Sequence, residues 1–271
     1  MELVEKSRIA ELNEAATVES LVGLADDAMR SELGIDCRRV GGGLLVRMRA
    51  APFIPYFTRA FALGVTEPMT NAVLDEVTDG LKEAGGDVLV VQVAPPQETD
   101  ATVELLTSGG WERGGTWAKM MRPAGPAPSV DTTLRIDKVG PDRAADFGRV
   151  LIEGMEMPPI MTTWAGLQVD APQYSGFGAF DGDDLVGVGV LHVHEGAAQL
   201  AGAATLPEFR GRGVQLALMA ARINAAHEQG AQWVTAETGS ETPEHPNPSL
   251  HNMYRAGLTL LYHRRNWLLR I

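Results

Sequence analysis

From Ala198 to Leu206 the chain is small, apolar and free of turn residues, the pattern of a buried strand. The next apolar positions, Val214, Leu218, Ala221 and Ala225, recur at helical spacing, while Gln215, Arg222 and Gln229 fall seven apart. This predicts a helix with a broad buried side and one wet face that carries Arg222. Between the two lies Pro207-Glu208-Phe209-Arg210-Gly211-Arg212-Gly213, so the segment reads as strand, glycine loop, helix.

Upstream, residues 1 to about 35 alternate aliphatics with acids and alanine at helical spacing, as in Val18, Leu21, Val22, Ala25 and Met29, with Gly34 as a stop. Leu44–Met48 reads as a strand, and the aromatic-rich Phe53–Phe61 has no clear state. Pro68–Glu83 reads as a helix with the proline in its first turn, Asp87–Val93 as a buried strand, Thr99–Thr107 as a short helix and Thr116–Arg122 as a strand. Three prolines and small residues in Arg122–Ser129 mark a linker, which sets domains at 1–124 and 130–271. Beyond it come a strand at Thr132–Val139 and a helix at Pro141–Glu153. A proline-broken loop, Met155–Met161, leads to a short helix around Trp164. Ser175–Phe180 and Leu185–His194, joined by Asp181-Gly182-Asp183-Asp184, form a hairpin. After the glycine loop and its helix follow a strand at Trp233–Glu237, a helix at Pro248–Ala256 with Asn247 as N-cap, and closing strands over Leu258–Leu269. The order of elements in Gly85–Arg122 parallels that in Gly230–Arg270, a weak internal repeat.

The chain has 271 residues, a net charge of −12 and 45% hydrophobic residues. That length gives one large or two ordinary domains, and the acidic balance argues against nucleic acid while suiting a cationic partner. The single cysteine, Cys37, permits no internal disulfide and fits a reducing, cytoplasmic setting. No apolar run reaches the ~18 residues of a membrane span, so no membrane partner is expected. His245 and His251 lack ligand spacing, and no metal is expected. A glycine loop at a helix start leaves the first N–H groups unpaired at the positive end of the helix dipole. With Arg210 and Arg212 alongside, it suits a phosphate or pyrophosphate.

Arg210 and Gly213 match the coenzyme A loop of the GCN5-related N-acetyltransferases (the GNAT superfamily): Gln/Arg, two residues, Gly, one residue, Gly/Ala. Gln215 departs from it. A second stretch, Asn247 to Tyr254 with Gly257-Leu258, resembles the family's Asn-to-Tyr helix, Leu258 standing where Phe is usual. The resemblance covers roughly 131–271. It implies an α/β protein with a mixed sheet, made of two GNAT-like domains in tandem, the N-terminal one degenerate and without the phosphate loop. It also implies a site for acetyl-CoA or another acyl-CoA, used as co-substrate, at Ala204, Thr205, Arg210, Gly211, Arg212, Gly213, Val214, Gln215 and Asn247. Tyr254 would be the general acid, its phenol protonating the departing thiolate. A backbone N–H near Thr205, where the strand splays from its neighbour, would polarise the carbonyl.

The activity so implied is N-acyl transfer to an amine of a small molecule. A non-catalytic acyl-CoA-binding or sensing protein is the alternative, and a homodimer through the N-terminal half is left open. Glu237 and Glu208 are candidate bases, each weighed against a solvated acid. His192 and His194 read as satisfied histidines on a strand. The loop holding Met155, Met157, Ile160 and Met161 would shape the acceptor pocket or pack on the core.

Overall fold

The computed structural model describes the whole chain, Met1–Ile271. In chain order its helices are α1 (Leu3–Gly23), α2 (Asp27–Leu33), α3 (Asn71–Lys82), α4 (Asp100–Ser108), α5 (Ala144–Gly154), α6 (Thr162–Gly166), α7 (Val214–Glu228) and α8 (Pro248–Arg255). Its strands are β1 (Ile35–Val40), β2 (Gly43–Met48), β3 (Arg59–Phe61), β4 (Val88–Val93), β5 (Glu112–Pro123), β6 (Arg135–Lys138), β7 (Tyr174–Asp181), β8 (Asp184–His194), β9 (Ala197–Thr205), β10 (Trp233–Gly239) and β11 (Thr259–Arg270). Two compact units result: Met1–Lys119 together with Leu260–Ile271, and Met120–Thr259.

In the first unit the strands lie in the order β1, β2, β3, β4, β11, β5. The β1–β2, β2–β3 and β4–β11 ladders are antiparallel, and β3 pairs with β4 in parallel. β11 runs Arg265 to Arg270 against Val93 to Val88, which is why the end of the chain groups with its beginning. Its Trp267 is fully buried in the core of this unit among Val91, Val93, Leu81 and Leu106. The helical stretch at the start is two helices, because Asp26 accepts a bond from the Met29 N–H and opens a new N-terminus. Gly34, at φ +57°, ends α2. The third helix begins at Asn71, after Pro68, since the Thr70 hydroxyl supplies the cap.

Two acids of α1 are not solvated. Glu11 and Glu14 are wholly buried with Arg59, Lys119 and Arg264. Glu14 pairs with all three cations, at 2.5 Å to Arg59 and to Arg264. Glu11 takes the Tyr262 hydroxyl at 2.7 Å and Arg264 at 3.1 Å. A buried cation is tolerable only when its partners are in place, so α1 is locked to β3, β5 and β11 by charge as well as by apolar contact.

In the second unit the order is β10, β9, β8, β7, β6. The β7–β8 hairpin turns through Gly182, at φ +62°, with Asp181 opposite Asp184. Helices α5 and α7 pack on β8 and β9. Two glycines let α5 and α6 touch: a Cβ on Gly148 would lie 2.2 Å from the Thr162 carbonyl oxygen, and one on Gly166 2.4 Å from that of Ala144.

Candidate active site

The β9 strand belongs to two ladders of unequal length. Against β8 it is paired from Ala197 to Thr205, but its parallel pairing with β10 is confined to Ala197, Ala198 and Gln199. From Leu200 onward β9 is no longer paired with β10, and the glycine loop begins just past the end of β9. Gly211 and Gly213 both sit at φ +76°, a left-handed conformation that a side chain resists. The turn delivers the chain into α7 with Gly213 as N-cap and no side chain capping the helix. The first intrahelical bond at this end runs from the Ala217 N–H to the Gly213 carbonyl, so the N–H groups of Val214, Gln215 and Leu216 point out of the helix end.

Arg210 braces this loop. Its guanidinium donates to the Thr205 and Gly154 carbonyls, at 3.3 and 3.1 Å, and lies 3.8 Å from the Glu156 carboxylate. Arg212 stands over the Phe209 ring and is paired with Asp181 at 3.1 Å. Both remain partly exposed, so their charge reaches an anion at the helix end while their side chains hold the turn. An open cleft of about 510 Å³, lined by Val130–Thr133 and Arg212, flanks the loop.

Gln215, the residue out of pattern, has a task of its own. Its side chain donates to the Ser249 hydroxyl at 3.1 Å and accepts from Asn252 at 2.7 Å, tying the first turn of α7 to α8. Asn247 is the N-cap of α8. Its Oδ1 accepts from the Ser249 and Leu250 N–H groups, while its Nδ2 donates to Thr238 Oγ1 and the Gly239 carbonyl, at 2.9 and 2.6 Å. The side chain thus joins α8 to the end of β10. Its work is to position the helix.

Seven residues on, Tyr254 occupies the same face of α8 and is 46% exposed. His251 shares that face, at the i+4 position from Asn247. Its Nε2 lies 2.8 Å from the Glu241 carboxylate. A carboxylate only accepts, so Nε2 must carry the proton and a neutral ring leaves its lone pair on Nδ1. Spacing in the sequence did not reveal this dyad, because Glu241 belongs to the loop between β10 and α8. Glu237 is half-buried near the end of β10, and Glu208 is in the exposed Pro207–Phe209 turn. His192 is buried between Tyr174 and His194, with ring centroids at 4.7 and 6.2 Å, and burial, helped by His194, lowers its pKa to about 4. It is a neutral core residue. In the loop before α6, Met161 is buried and Met155 and Ile160 are exposed.

One expectation is overturned. Arg222 does not lie on a wet face of α7 but is 1% exposed. Carbonyls of β8 and β9 draw it inward, as Nη1 donates to those of Val190 and Ala201 at 3.1 and 3.0 Å.

Residues 147–258 match the model of the acetyltransferase (GNAT) family. This stretch is a GNAT domain. The matched residues run from within α5 to the end of α8, the glycine loop and the Asn247–Tyr254 helix included. A GCN5-related N-acetyltransferase from Sphaerobacter thermophilus superposes with a TM-score of 0.62 at 13% identity, over 90% of this chain and 84% of its own. One from Kribbella flavida gives 0.60 at 12%, over 95% and 94%. A tandem GNAT protein from the clavulanic acid biosynthesis pathway gives 0.55 at 14%, over 86% and 81%. No curated protein matches the sequence. The GNAT fold therefore extends over about nine tenths of the chain, in a mixed α/β architecture. No group of three or more His, Cys, Asp or Glu side chains is placed to hold a metal, and no helix is long and apolar enough to cross a membrane.

Proposed function

We propose that the second unit binds acetyl-CoA or another acyl-CoA and transfers the acyl group to an amine of a small molecule. The observation that carries this reading is the end of β9 left unpaired with β10, followed by the glycine loop and an uncapped helix. An extended pantetheine arm can lie along the free β10-facing edge of β9, while its pyrophosphate meets the N–H groups of Val214, Gln215 and Leu216 and the charges of Arg210 and Arg212. Ala204 and Thr205 end that edge. The acyl-CoA is a co-substrate, and it supplies the activated thioester.

Three demands remain for this chain's residues. The amine must lose a proton, and His251 Nδ1, fixed as acceptor through Glu241, is suited to take it. The acyl carbonyl oxygen needs a donor, which a free N–H of β9 supplies. The thiolate needs a proton, and the exposed Tyr254 phenol can give it. The net acidity of the chain favours a cationic acceptor. The first unit has no counterpart of Arg210–Gln215 in its sequence and is read as a degenerate GNAT-like copy; the single free cysteine is consistent with work in a reducing cytoplasm.

Tyr254→Phe tests the enzymatic reading. The variant should bind acetyl-CoA with unchanged affinity while turnover, with an acceptor found by screening pooled amines, falls ~10²–10⁴-fold where chemistry limits the rate. Full turnover would remove Tyr254 from the mechanism. Tight acetyl-CoA binding with no turnover of any acceptor by the unaltered protein would favour an acyl-CoA sensor.

A further inference from the structure

The ladder between β8 and β9 slips by one residue. Val190 lies opposite Ala201 and Gly189 opposite Ala203, which leaves Gly202 without a partner. Such a bulge bends the strand and frees backbone groups from the ladder. Arg222 is inserted at this place. Its Nη1 bridges the Val190 and Ala201 carbonyls, and its Nε donates to Leu218 of its own helix at 3.0 Å. Gly189 makes the room, since a Cβ there would lie 2.8 Å from the guanidinium carbon. No carboxylate pairs with this buried cation. Burial lowers its pKa to about 10, which still leaves it charged at neutral pH.

A solitary buried cation is expensive, and an apolar side chain of similar volume would fill the space more cheaply. What only a guanidinium supplies is a fixed positive charge on two carbonyl oxygens. The peptide from Ala201 to Gly202 is trans, as is every peptide in the chain, so its N–H points opposite to its C=O. The C=O is held between β9 and β8. The Gly202 N–H therefore points to the other side of β9, where pairing with β10 has already ended at Gln199. A peptide whose oxygen accepts from a cation is polarised and donates more strongly through its nitrogen.

We infer that Arg222 is a positioning residue for acyl transfer: it fixes the bulge and polarises the Ala201–Gly202 peptide, so that the Gly202 N–H is the donor to the acyl carbonyl oxygen. This rests on the acyl-CoA reading of the site. Arg222 itself touches no reacting atom.

The test uses the full chain and acetyl-CoA carrying ¹³C at its carbonyl. Calorimetry establishes binding, and difference infrared spectroscopy then reads the carbonyl stretch. In the unaltered protein the stretch should fall below its value in free acetyl-CoA. Arg222→Met should keep Kd within about threefold, return the stretch toward the free value and lower kcat about tenfold or more with KM little changed, while Arg222→Lys restores part of both. A folded Arg222→Met with unaltered stretch and kcat overturns the inference. Should that variant not fold, the amide proton resonance of Gly202 in the unaltered protein decides: it should move downfield when acetyl-CoA binds, and an unmoved resonance overturns the inference. Absence of acetyl-CoA binding to the unaltered protein would fell the acyl-CoA reading and this inference together. Binding with an unmoved Gly202 amide fells this inference and leaves the acyl-CoA reading standing.

Discussion

Replacing Asn247 with alanine removes four hydrogen bonds that serve two purposes. The pair accepted by Oδ1 caps α8, and losing such a cap costs ~1 kcal/mol. The pair donated by Nδ2 fastens α8 to Thr238 and Gly239, each bond contributing ~1 kcal/mol net. The sum is about 3 kcal/mol, reduced to about 2 because Asn247 is half-buried and water replaces part of what is lost. For a domain of this size that is a fall of roughly 4–8 °C in the melting temperature of the second unit. Asn247→Asp separates the two purposes, since a carboxylate still caps and suits the helix dipole but cannot donate to the Gly239 carbonyl. It should lose about half as much as alanine does. Scanning calorimetry on the three proteins is the measurement. A shift below about 1 °C in Asn247→Ala, or an aspartate variant less stable than the alanine one, would refute the account of how α8 is held.

Three further outcomes follow from the structure. His192 has a folded pKa near 4 against an ordinary 6.5, so the unfolded chain binds the extra proton. Its contribution is present above pH 6.5 and lost as pH falls toward 4, up to about 3 kcal/mol at ~1.4 per pKa unit, and His192→Gln should flatten that part of the stability profile in chemical denaturation. Glu14→Leu takes the shared carboxylate from Arg59, Lys119 and Arg264, leaving Arg264 with Glu11 alone, and should cost the first unit ~3–5 kcal/mol; a loss under 1 kcal/mol in a urea titration would contradict the buried network. Gly213→Asp places a carboxylate and a Cβ where φ is +76° and N–H groups await an anion, so acetyl-CoA affinity should drop at least tenfold by calorimetry, with an unchanged Kd arguing against the phosphate loop.

Local chemistry made much of this molecule readable from its residues. The hairpin at Gly182, the loop at Gly213 and the cap at Asn247 are each written in a few adjacent positions, and each stands where spacing put it. What depends on distant partners was not readable. Arg222 repeats at heptad distance from polar residues, and nothing near it in sequence announces two bulge carbonyls on neighbouring strands. Glu11 and Glu14 look like the wet side of an amphipathic helix until Arg59, Lys119 and Arg264 are brought beneath them. His251 and Glu241 meet only because a proline-bearing loop folds back on α8. The last strand reads as closing the domain it follows, whereas its alternate residues complete the first unit.

That last strand sets a timetable for synthesis. Domains commonly fold in the order in which they leave the ribosome. Here the first unit cannot finish early, because the place between β4 and β5 stays vacant until Met120–Thr259 has been translated, a delay on the order of ten seconds. During that time Val88–Val93, a run of almost uninterrupted aliphatics, has an open edge and no Trp267 to seal its core. The nascent chain must be kept from pairing that edge with a neighbour on the same message, so slow translation or scarce holdase chaperones should lower the yield of soluble protein. A fragment ending near residue 124 would carry the same open edge permanently.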